Sequence, residues 1–266
     1  MIAELVKVEG AGNDFLLGTG GWAERLADDP TLVRRLCDRR LGVGADGTLG
    51  VVATGPASVR LVHRNADGSL STFCANGTRC AALAAVELLG LPERLTVATG
   101  WTEVPALVRT DAVTLELPPP SMPTACSLDV NGRRWCGRHL VLGVPHLVVP
   151  VADLDAVDIM AVAPPLRHHP DLDPDGANVH LVEGAAGTLR IRSFERGVEA
   201  ETLCCGSGVV AAALLDLGDR GQRRVTVEAR SGARLTVEAT GEPPVAAARL
   251  TGPARLVARV ELIGDW

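Results

Sequence analysis

A cysteine-centred signature occurs twice in this chain, and each copy opens a short apolar run. The first reads Ser-Thr-Phe-Cys-Ala-Asn-Gly over 71–77, and the second reads Thr-Leu-Cys-Cys-Gly-Ser-Gly over 202–208. The apolar runs predict two buried helices that stop at Gly90 and Gly218, because helices often end at a glycine with positive φ. A thiol at a helix N-terminus has a depressed pKa, and the N–H groups beside it bind anions. Two such thiols suggest two acid/base groups acting on one carboxylate-bearing substrate.

Packing offers a simpler explanation for either copy alone, since free cysteine is among the most buried residue types. In both copies one residue separates the cysteine from Asn-Gly or Ser-Gly, and this repeated register favours a chemical role over packing alone. In the second copy Cys205 has the register of Cys74. The adjacent Cys204 aligns with Phe73, a packing position, so we assign the catalytic pair to Cys74 and Cys205 and expect Cys204 to be inert.

Composition narrows the classes of protein that this chain can belong to. Its 266 residues are 47% hydrophobic and 22% charged, which is typical of a globular protein with a full core. The net charge of −6 gives no basis for binding nucleic acid or an anionic membrane. No apolar run approaches the roughly 18 to 20 residues of a membrane span. Seven cysteines, an odd number in a long chain, favour reduced thiols in the cytoplasm.

The single lysine, Lys7, limits the cofactor chemistry. Pyridoxal-phosphate enzymes require a Schiff-base lysine, and Lys7 lies in a predicted strand with no phosphate-binding loop beside it. We therefore predict that any amino-acid chemistry runs without that cofactor. A metal site is not predicted either, because adjacent cysteines such as Cys204 and Cys205 rarely chelate one ion and no histidine completes a ligand set.

The two halves of the chain follow the same order of short strands and one cysteine-led helix, which indicates a duplication. Pro118-Pro119-Pro120 is the best linker candidate, so we place a first half at residues 1–117 and a second at 118–253. Additional helices are predicted from Asp29 to Arg40 and from Leu154 to Ala161. Each half is thus expected to be a β-rich layer with one buried helix.

Eight sequence blocks carry a resemblance to a known family. They are Gly-Ala-Gly-Asn-Asp-Phe (10–15), Gly-Val-Gly-Ala-Asp-Gly (42–47), Asn-Ala-Asp-Gly-Ser (65–69), Cys-Ala-Asn-Gly-Thr-Arg-Cys (74–80), Gly-Val-Pro-His (143–146), Gly-Ala-Asn-Val (176–179), Glu-Arg-Gly-Val-Glu (195–199) and Glu-Thr-Leu-Cys-Cys-Gly-Ser-Gly (201–208). With these blocks in this order, the chain resembles the diaminopimelate epimerases over nearly its whole length. The resemblance implies an α/β (α+β, β-rich) fold of two pseudo-symmetric halves, each a β-barrel-like sheet around a central helix. It also implies that the C-terminal strand, 254–266, returns to the first half.

The family interconverts LL- and meso-diaminopimelate without cofactor or metal, on the route to lysine and peptidoglycan. Inverting a stereocentre requires one group that removes the α-proton from one face and another that returns a proton to the opposite face. Cys74 and Cys205 fill these roles as thiolate and thiol, and the sequence does not say which starts ionised.

Further contacts to the substrate are predicted around the two cysteines. Backbone N–H groups at the helix starts would hold the α-carboxylate and stabilise the carbanion; they belong to Ala75, Asn76, Gly206 and Ser207. The resemblance adds Asn13 for the α-amino end. It assigns the distal carboxylate to Asn65, Asn178 and Arg196.

Two more residues are assigned through the resemblance. Glu195, with backbone carbonyls, would take the distal ammonium, and Glu195 and His146 would neighbour and tune the two thiols. Without the neighbouring motifs, Glu195 and Arg196 would be interpreted as an ordinary surface ion pair at a turn. We favour the substrate-binding interpretation because the motifs occur together.

Three departures from the family pattern keep other functions open. Ala75 replaces glycine, Val144 replaces an asparagine, and Gly47 stands where some members carry a substrate-contacting glutamine. Ala75 is expected to be tolerated at the first helical position, where φ is negative. The alternatives are a cofactor-independent racemase of a different amino acid and, ranked lower, a non-catalytic thiol-switch or binding protein. The sequence is compatible with a homodimer and does not report the oligomeric state.

Overall fold

The computed structural model describes residues 4–172, 174, 176–185 and 187–266. The chain divides into two compact units, one made of residues up to 115 together with 252–266, and one made of residues 116–251. The sequence placed the two junctions after residues 117 and 253. The proline-rich segment 118–123 contains neither helix nor strand and begins two residues after the first junction.

The first unit combines a strand-rich layer with three helices. Its elements are β1 (Glu4–Gly10), β2 (Asn13–Thr19), α1 (Gly21–Asp28), α2 (Pro30–Cys37), β3 (Gly47–Gly55), β4 (Ser58–Asn65), β5 (Leu70–Ser71), α3 (Ala75–Glu87), β6 (Arg94–Ala98), β7 (Glu103–Val108), β8 (Val113–Leu117), which crosses the junction, and β18 (Arg255–Glu261). The C-terminal strand β18 pairs antiparallel with β1.

The second unit repeats this composition with two helices and one 3-10 turn. Its elements are β9 (Thr124–Val130), β10 (Arg133–Leu142), β11 (Val144–Pro150), α4 (Ile159–Arg167), the 3-10 turn Pro170–Leu172, β12 (Asn178–Ala185), β13 (Thr188–Glu195), β14 (Ala200–Thr202), α5 (Gly206–Arg220), β15 (Arg224–Glu228), β16 (Arg234–Ala239) and β17 (Ala248–Gly252).

Strand pairing follows the same scheme in both units. In the first, β1–β2, β3–β4 and β6–β7 are antiparallel, whereas β2–β3 and β4–β6 are parallel. In the second, β10–β11, β12–β13 and β15–β16 are antiparallel, whereas β11–β12 and β13–β15 are parallel. Parallel neighbours need a crossover, and the helices supply it at the same steps. The predicted fold class, two β-rich halves of like architecture, is confirmed.

A buried helix of small residues lies at the centre of each unit. Helix α3 packs against β1, β2, β3, β4, β6, β7 and β18, and α5 packs against β10, β11, β12, β13, β15 and β16. Alanine supplies half of the buried residues of α3, and glycine, serine and alanine supply six of the eleven in α5, so strands can approach from several sides. The two helices thereby fix where their first residues, and the cysteines before them, sit within each sheet.

Three of the predicted helices have other bounds in the structure, and the second cysteine-led helix is the first of them. Gly218 does not end its helix: α5 continues to Arg220, and Gly221, with φ 65°, caps it. A Cβ on Gly218 would lie 3.3 Å from Pro244, so this glycine serves close packing. Gly90, with φ 68°, does follow the end of α3 as expected.

The helix predicted over 154–161 lies further along the chain. Asp158 caps α4 by accepting hydrogen bonds from the N–H groups of Met160 and Ala161. Pro164 and Pro165 lie inside α4, although proline ordinarily breaks a helix interior. The sequence pattern also missed α1 and extended α2 beyond Cys37, where Val43 N–H turns back to the Leu36 carbonyl. Among the helices described, none is long and apolar enough to cross a membrane.

A buried histidine makes the stability of the first unit depend on pH. His63 on β4 packs edge-on against Phe15, and burial lowers its pKa from 6.5 to about 4. Protonation therefore favours the unfolded chain, and the stabilisation is complete above pH 6.5 and lost as pH falls toward 4. We expect the free energy of unfolding to drop by about 2 to 3 kcal/mol on this account between about pH 7.5 and 4.5.

The variant His63→Leu should remove that part of the pH dependence, measured by urea unfolding at both pH values. His168→Gln is the matched control, because the His168 side chain is 62% exposed. This variant should lose as much unfolding free energy between the two pH values as the wild type does. An equal loss in wild type and His63→Leu would show that His63 is not the group responsible.

Candidate active site

Cys74 is the N-cap residue of α3 and lies at the positive end of that helix. Its Sγ accepts a hydrogen bond from the N–H of Gly77 at 3.4 Å, and its carbonyl accepts from the N–H of Thr78 at 2.8 Å. The side chain is partly exposed. A sulfur in this position can act on a ligand from outside the helix while the helix start favours its anionic form.

Polar side chains tie the start of α3 to the β1–β2 turn. Asn76 donates through Nδ2 to Oδ1 of Asn13 and accepts through Oδ1 from Nη2 of Arg79 at 2.7 Å. Arg79 is fully buried, and its Nε donates to the carbonyl of Pro253 at 3.2 Å. Asn13 and Asn76, two predicted substrate contacts, are therefore joined by a hydrogen bond, and the buried Arg79 holds Asn76 in place.

The remaining predicted contacts of the first unit lie at the helix start and on β4. Ala75 is the first residue of α3 and does not have positive φ, so the expectation that alanine is tolerated there is confirmed. Asn65 pairs with Gly47 across β3 and β4 and donates through Nδ2 to Ser69 Oγ at 3.0 Å. A Cβ on Gly47 would lie 2.4 Å from the Arg64 carbonyl oxygen. This backbone has no room for the glutamine of some family members.

Cys205 is the N-cap residue of α5 and corresponds to Cys74 by position. Its carbonyl accepts from the N–H of Val209 at 2.9 Å, and its Sγ lies 3.7 Å from Ser207 Oγ. Unlike Cys74 it is only 4% exposed. Gly206 and Ser207 form the first turn of α5, and Cys204 is buried next to them.

Burial reverses the pKa effect that the sequence predicted for Cys205. Removal from water raises the pKa of the Cys205 thiol well above 9.0, and the charge of Glu195 and its hydrogen bond to the thiol raise it further. The helix start and Ser207 lower it by less. Desolvation therefore outweighs the helix dipole here, and Cys205 carries its proton at neutral pH.

The predicted residues of the second unit gather around Cys205. Asn178 accepts through Oδ1 from the N–H of Arg196 at 2.7 Å, and Glu195 accepts from Thr202 Oγ1. His146 lies opposite Asn178 in the β11–β12 register. His146 and Glu195 were expected to serve the two thiols; the structure places both of them beside Cys205.

His180 is a buried polar residue of this region that the sequence analysis missed. His146, His180 and Cys205 each offer a ring nitrogen or sulfur within 4.8 Å of the others. The expectation that no histidine completes a ligand set with these cysteines is therefore wrong for Cys205. Aligning the two halves would have revealed it, because His180 stands where the first half has Leu49.

Lys7 is held in a structural ion pair on β1. Its Nζ bonds to Asp14 and donates to the carbonyl of Gly44. Burial opposes ionisation of Asp14, but hydrogen bonds from Arg39 and Lys7 lower its pKa to about 2. The one lysine of the chain thus serves the first unit as a counter-ion.

Comparisons with known proteins agree with this architecture. The family model described as diaminopimelate epimerase matches residues 5–114 and 140–257. A diaminopimelate epimerase of Aquifex aeolicus is 34% identical over 88% of this chain and 89% of its own. One of Chlorobaculum tepidum is 36% identical over 95% and 98%. A solved probable proline racemase from Agrobacterium radiobacter K84 shares the fold, with a TM-score of 0.73 at 18% identity over 98% of this chain and 93% of its own.

These matches place the chain among the isomerases that invert a stereocentre. Within that class, the chain belongs to the diaminopimelate epimerase family. The resemblance that the eight sequence blocks indicated is confirmed.

Two corresponding glycines should respond differently to alanine. A Cβ on Gly208 would lie 2.1 Å from His180 Cε1, whereas one on Gly77 would lie 3.0 Å from Leu49 Cδ2. A leucine methyl can shift, but the His180 ring is held by hydrogen bonds on both nitrogens. We expect Gly208→Ala to destabilise the protein by about 1 to 3 kcal/mol through overpacking.

Gly77→Ala is the matched control for that variant. Its clash is offset by the roughly 0.5 to 1 kcal/mol that alanine gains over glycine in a helix. Urea unfolding of both variants provides the comparison. Equal stabilities would mean that the His180 ring is not fixed against α5.

Proposed function

We propose that the protein interconverts LL- and meso-2,6-diaminopimelate by exchanging the α-proton between Cys74 and Cys205. The supporting observation is that each half places one cysteine at the N-cap of its buried helix, in a chain that carries the motifs of this family. One thiolate removes the proton from one face of the α-carbon, and the other thiol supplies a proton to the opposite face. The reaction needs no cofactor.

The two thiols differ in their resting states under this proposal. Cys205 is buried beside Glu195 and holds its proton, which makes it the resting acid. A two-base mechanism then requires Cys74 to be the thiolate that begins the reaction. The partial exposure of Cys74 and its place at a helix start suit that role.

Backbone N–H groups at the helix starts stabilise the carbanion in this proposal. The first turn of a helix carries N–H groups without acceptors inside the helix, which suits a carboxylate that gains charge. The groups concerned belong to Ala75, Asn76, Gly206 and Ser207. Losing one donor of this kind typically raises a barrier by about 2.7 to 4 kcal/mol.

Recognition of the unreacting end of the substrate completes the proposal. Asn65, Asn178 and Arg196 bind the distal carboxylate, since a planar guanidinium and amide groups match it well. Glu195 takes the distal ammonium, and Asn13 takes the α-amino group. Both thiols must stay reduced, so we place the enzyme in the cytoplasm and propose a small amino acid as its partner. The homodimer stays a prediction.

Serine substitutions test the assignment of the two bases. Cys74→Ser and Cys205→Ser should each lower kcat for conversion of LL-diaminopimelate by about 10²- to 10⁴-fold, the contribution of a positioned acid or base. Cys204→Ser is the matched control and should stay within about twofold of wild type. The assay is chromatographic separation of the stereoisomers under reducing conditions.

Three other results would change the assignment. Wild-type turnover in Cys74→Ser or Cys205→Ser would remove that cysteine from the mechanism. Loss of turnover in Cys204→Ser, with Cys205→Ser active, would move the second base by one residue. Inactive wild-type protein would contradict the enzyme proposal itself.

A racemase of a different amino acid is the second candidate, and Gly47 is the observation that favours it. The Arg64 carbonyl leaves no space there for a side chain that would contact a distal group. The same assay run on a panel of common amino acids separates the two candidates. Inversion of another amino acid, with diaminopimelate unchanged, would keep the two-thiol mechanism and replace the substrate.

A further inference from the structure

A chain of three buried polar side chains crosses neighbouring strands of the second unit. His146 Nδ1 lies 2.9 Å from His180 Nε2, and His180 Nδ1 lies 2.8 Å from Ser193 Oγ. Both histidines are completely buried, and Ser193 is 2% exposed. This row of hydrogen-bonded side chains begins near Cys205, because a His146 ring nitrogen lies within 4.8 Å of the Cys205 sulfur.

The fold itself does not require this polar chain. Strand register makes Phe15 the counterpart of His146 and Leu49 the counterpart of His180. The glycines in the third position after the two cysteines confirm the second match, since Gly77 faces Leu49 and Gly208 faces His180. The first half thus fills the positions of both histidines with apolar side chains, and the register matches Ser193 with His63, whose ring nitrogens have no hydrogen-bond partner among the described residues. Burying two imidazoles costs free energy that the leucine and phenylalanine do not, so a purely architectural role does not explain them.

The hydrogen bonds indicate which nitrogen carries each proton. A bond between two imidazole nitrogens contains one proton, which either ring can supply. His146 Nε2 has no partner among the described residues, and a buried N–H without an acceptor is rarer than an unpaired acceptor, so the His146 proton belongs on Nδ1. His180 then accepts at Nε2 and donates from Nδ1 to Ser193. His146 Nε2 is left as a bare acceptor.

A metal site is the competing explanation for the same three side chains. Two nitrogens bound to one zinc ion at about 2.0 to 2.1 Å in tetrahedral geometry lie about 3.3 Å apart. The observed 2.9 Å between the His146 and His180 nitrogens is the length of a hydrogen bond. The distances therefore favour a proton, and not a metal ion, between the two rings.

We propose that His180 and Ser193 are positioning residues that hold His146 with Nε2 unprotonated, so that the His146 ring adds no hydrogen-bond donor to those that already face the Cys205 thiol, and Cys205 keeps its proton. Those donors are the N–H of Gly208 and the hydroxyl of Ser207, and the Glu195 carboxylate accepts from the thiol. This inference rests on the proposed function, because it explains how Cys205 is kept as the resting acid. The other titratable and charged groups that face His146 are His139 on β10 and Arg196 after β13, and both disfavour a second proton on its ring.

Two substitutions of His180 separate the effect of the His146 tautomer from the effect of packing. His180→Leu copies Leu49 of the first half and removes the acceptor for His146 Nδ1. His180→Gln keeps an acceptor, because its side-chain oxygen can replace Nε2. His168→Gln is the control for loss of an exposed imidazole. Nitrogen-15 histidine spectra report the His146 tautomer, and carbon-13 spectra of the cysteine Cβ atoms, assigned with Cys205→Ser, report ionisation of Cys205.

In wild type we expect His146 to be protonated on Nδ1 alone and Cys205 to remain a thiol through pH 9.0, its unperturbed value. In His180→Leu we expect two His146 tautomers, a Cys205 titration about one pH unit lower, and kcat lower by about tenfold. His180→Gln and His168→Gln should keep both wild-type spectra. Wild-type His146 protonated on Nε2, or unchanged spectra in His180→Leu, would overturn the proposal.

Ser193→Ala keeps the test decisive if His180→Leu does not fold. It removes the acceptor for His180 Nδ1 and should produce the same mixture of tautomers to a smaller extent. Unchanged His146 and Cys205 spectra in Ser193→Ala would then contradict the proposal. The spectra do not depend on turnover, so inactive wild-type protein would count against the proposed function while these spectra still decide the role of His180.

Discussion

Placing a cysteine at the buried N-terminus of a central helix is the constraint on which the rest of this structure depends. The helix must be made of small residues, because strands approach it from several sides. Its start must meet the sheet at a fixed point, so the sulfur is positioned by the core and not by a mobile loop. Backbone N–H groups come with the same position, and they suit a carboxylate. Under the proposed function, one structural feature thus supplies the acid/base group and the anion site together.

The duplication repeats this feature in a different electrostatic environment in each half. Around Cys74 the helix start is supported by Asn76 and by the buried guanidinium of Arg79. Around Cys205, burial of the thiol and the charge of Glu195 favour the protonated sulfur, and His146 lies nearby. Under the proposed function this asymmetry gives one thiolate and one thiol before substrate arrives. A reaction that inverts a stereocentre needs that starting state.

Much of the fold and site could be predicted from sequence because the evidence was local. The cysteine register identified both N-cap positions, and the motifs identified the family. Helix ends were less predictable: Gly218 resembles a cap but is needed for packing against Pro244, and Asp158 caps a helix that contains two prolines. These outcomes depend on contacts that are distant in sequence.

The ionisation of Cys205 and the role of His180 were beyond the sequence for a similar reason. A helix-start argument lowers the pKa of a thiol, but burial raises it further, and burial is visible only in the folded chain. His180 looks like one member of an apolar strand until its register sets it against Gly208 and His146. Only the comparison of the two halves shows that an apolar residue would serve there.

Deuterium incorporation during the first turnovers tests the central claim, that two different groups act on opposite faces of one carbon. Reduced wild-type protein would convert LL-diaminopimelate in D₂O, and NMR would follow the α-positions of substrate and product. The account predicts that each newly formed meso product carries deuterium at the inverted carbon, while recovered substrate keeps its α-hydrogen. Meso product that retains the original hydrogen, or exchange without inversion, would contradict the two-thiol mechanism.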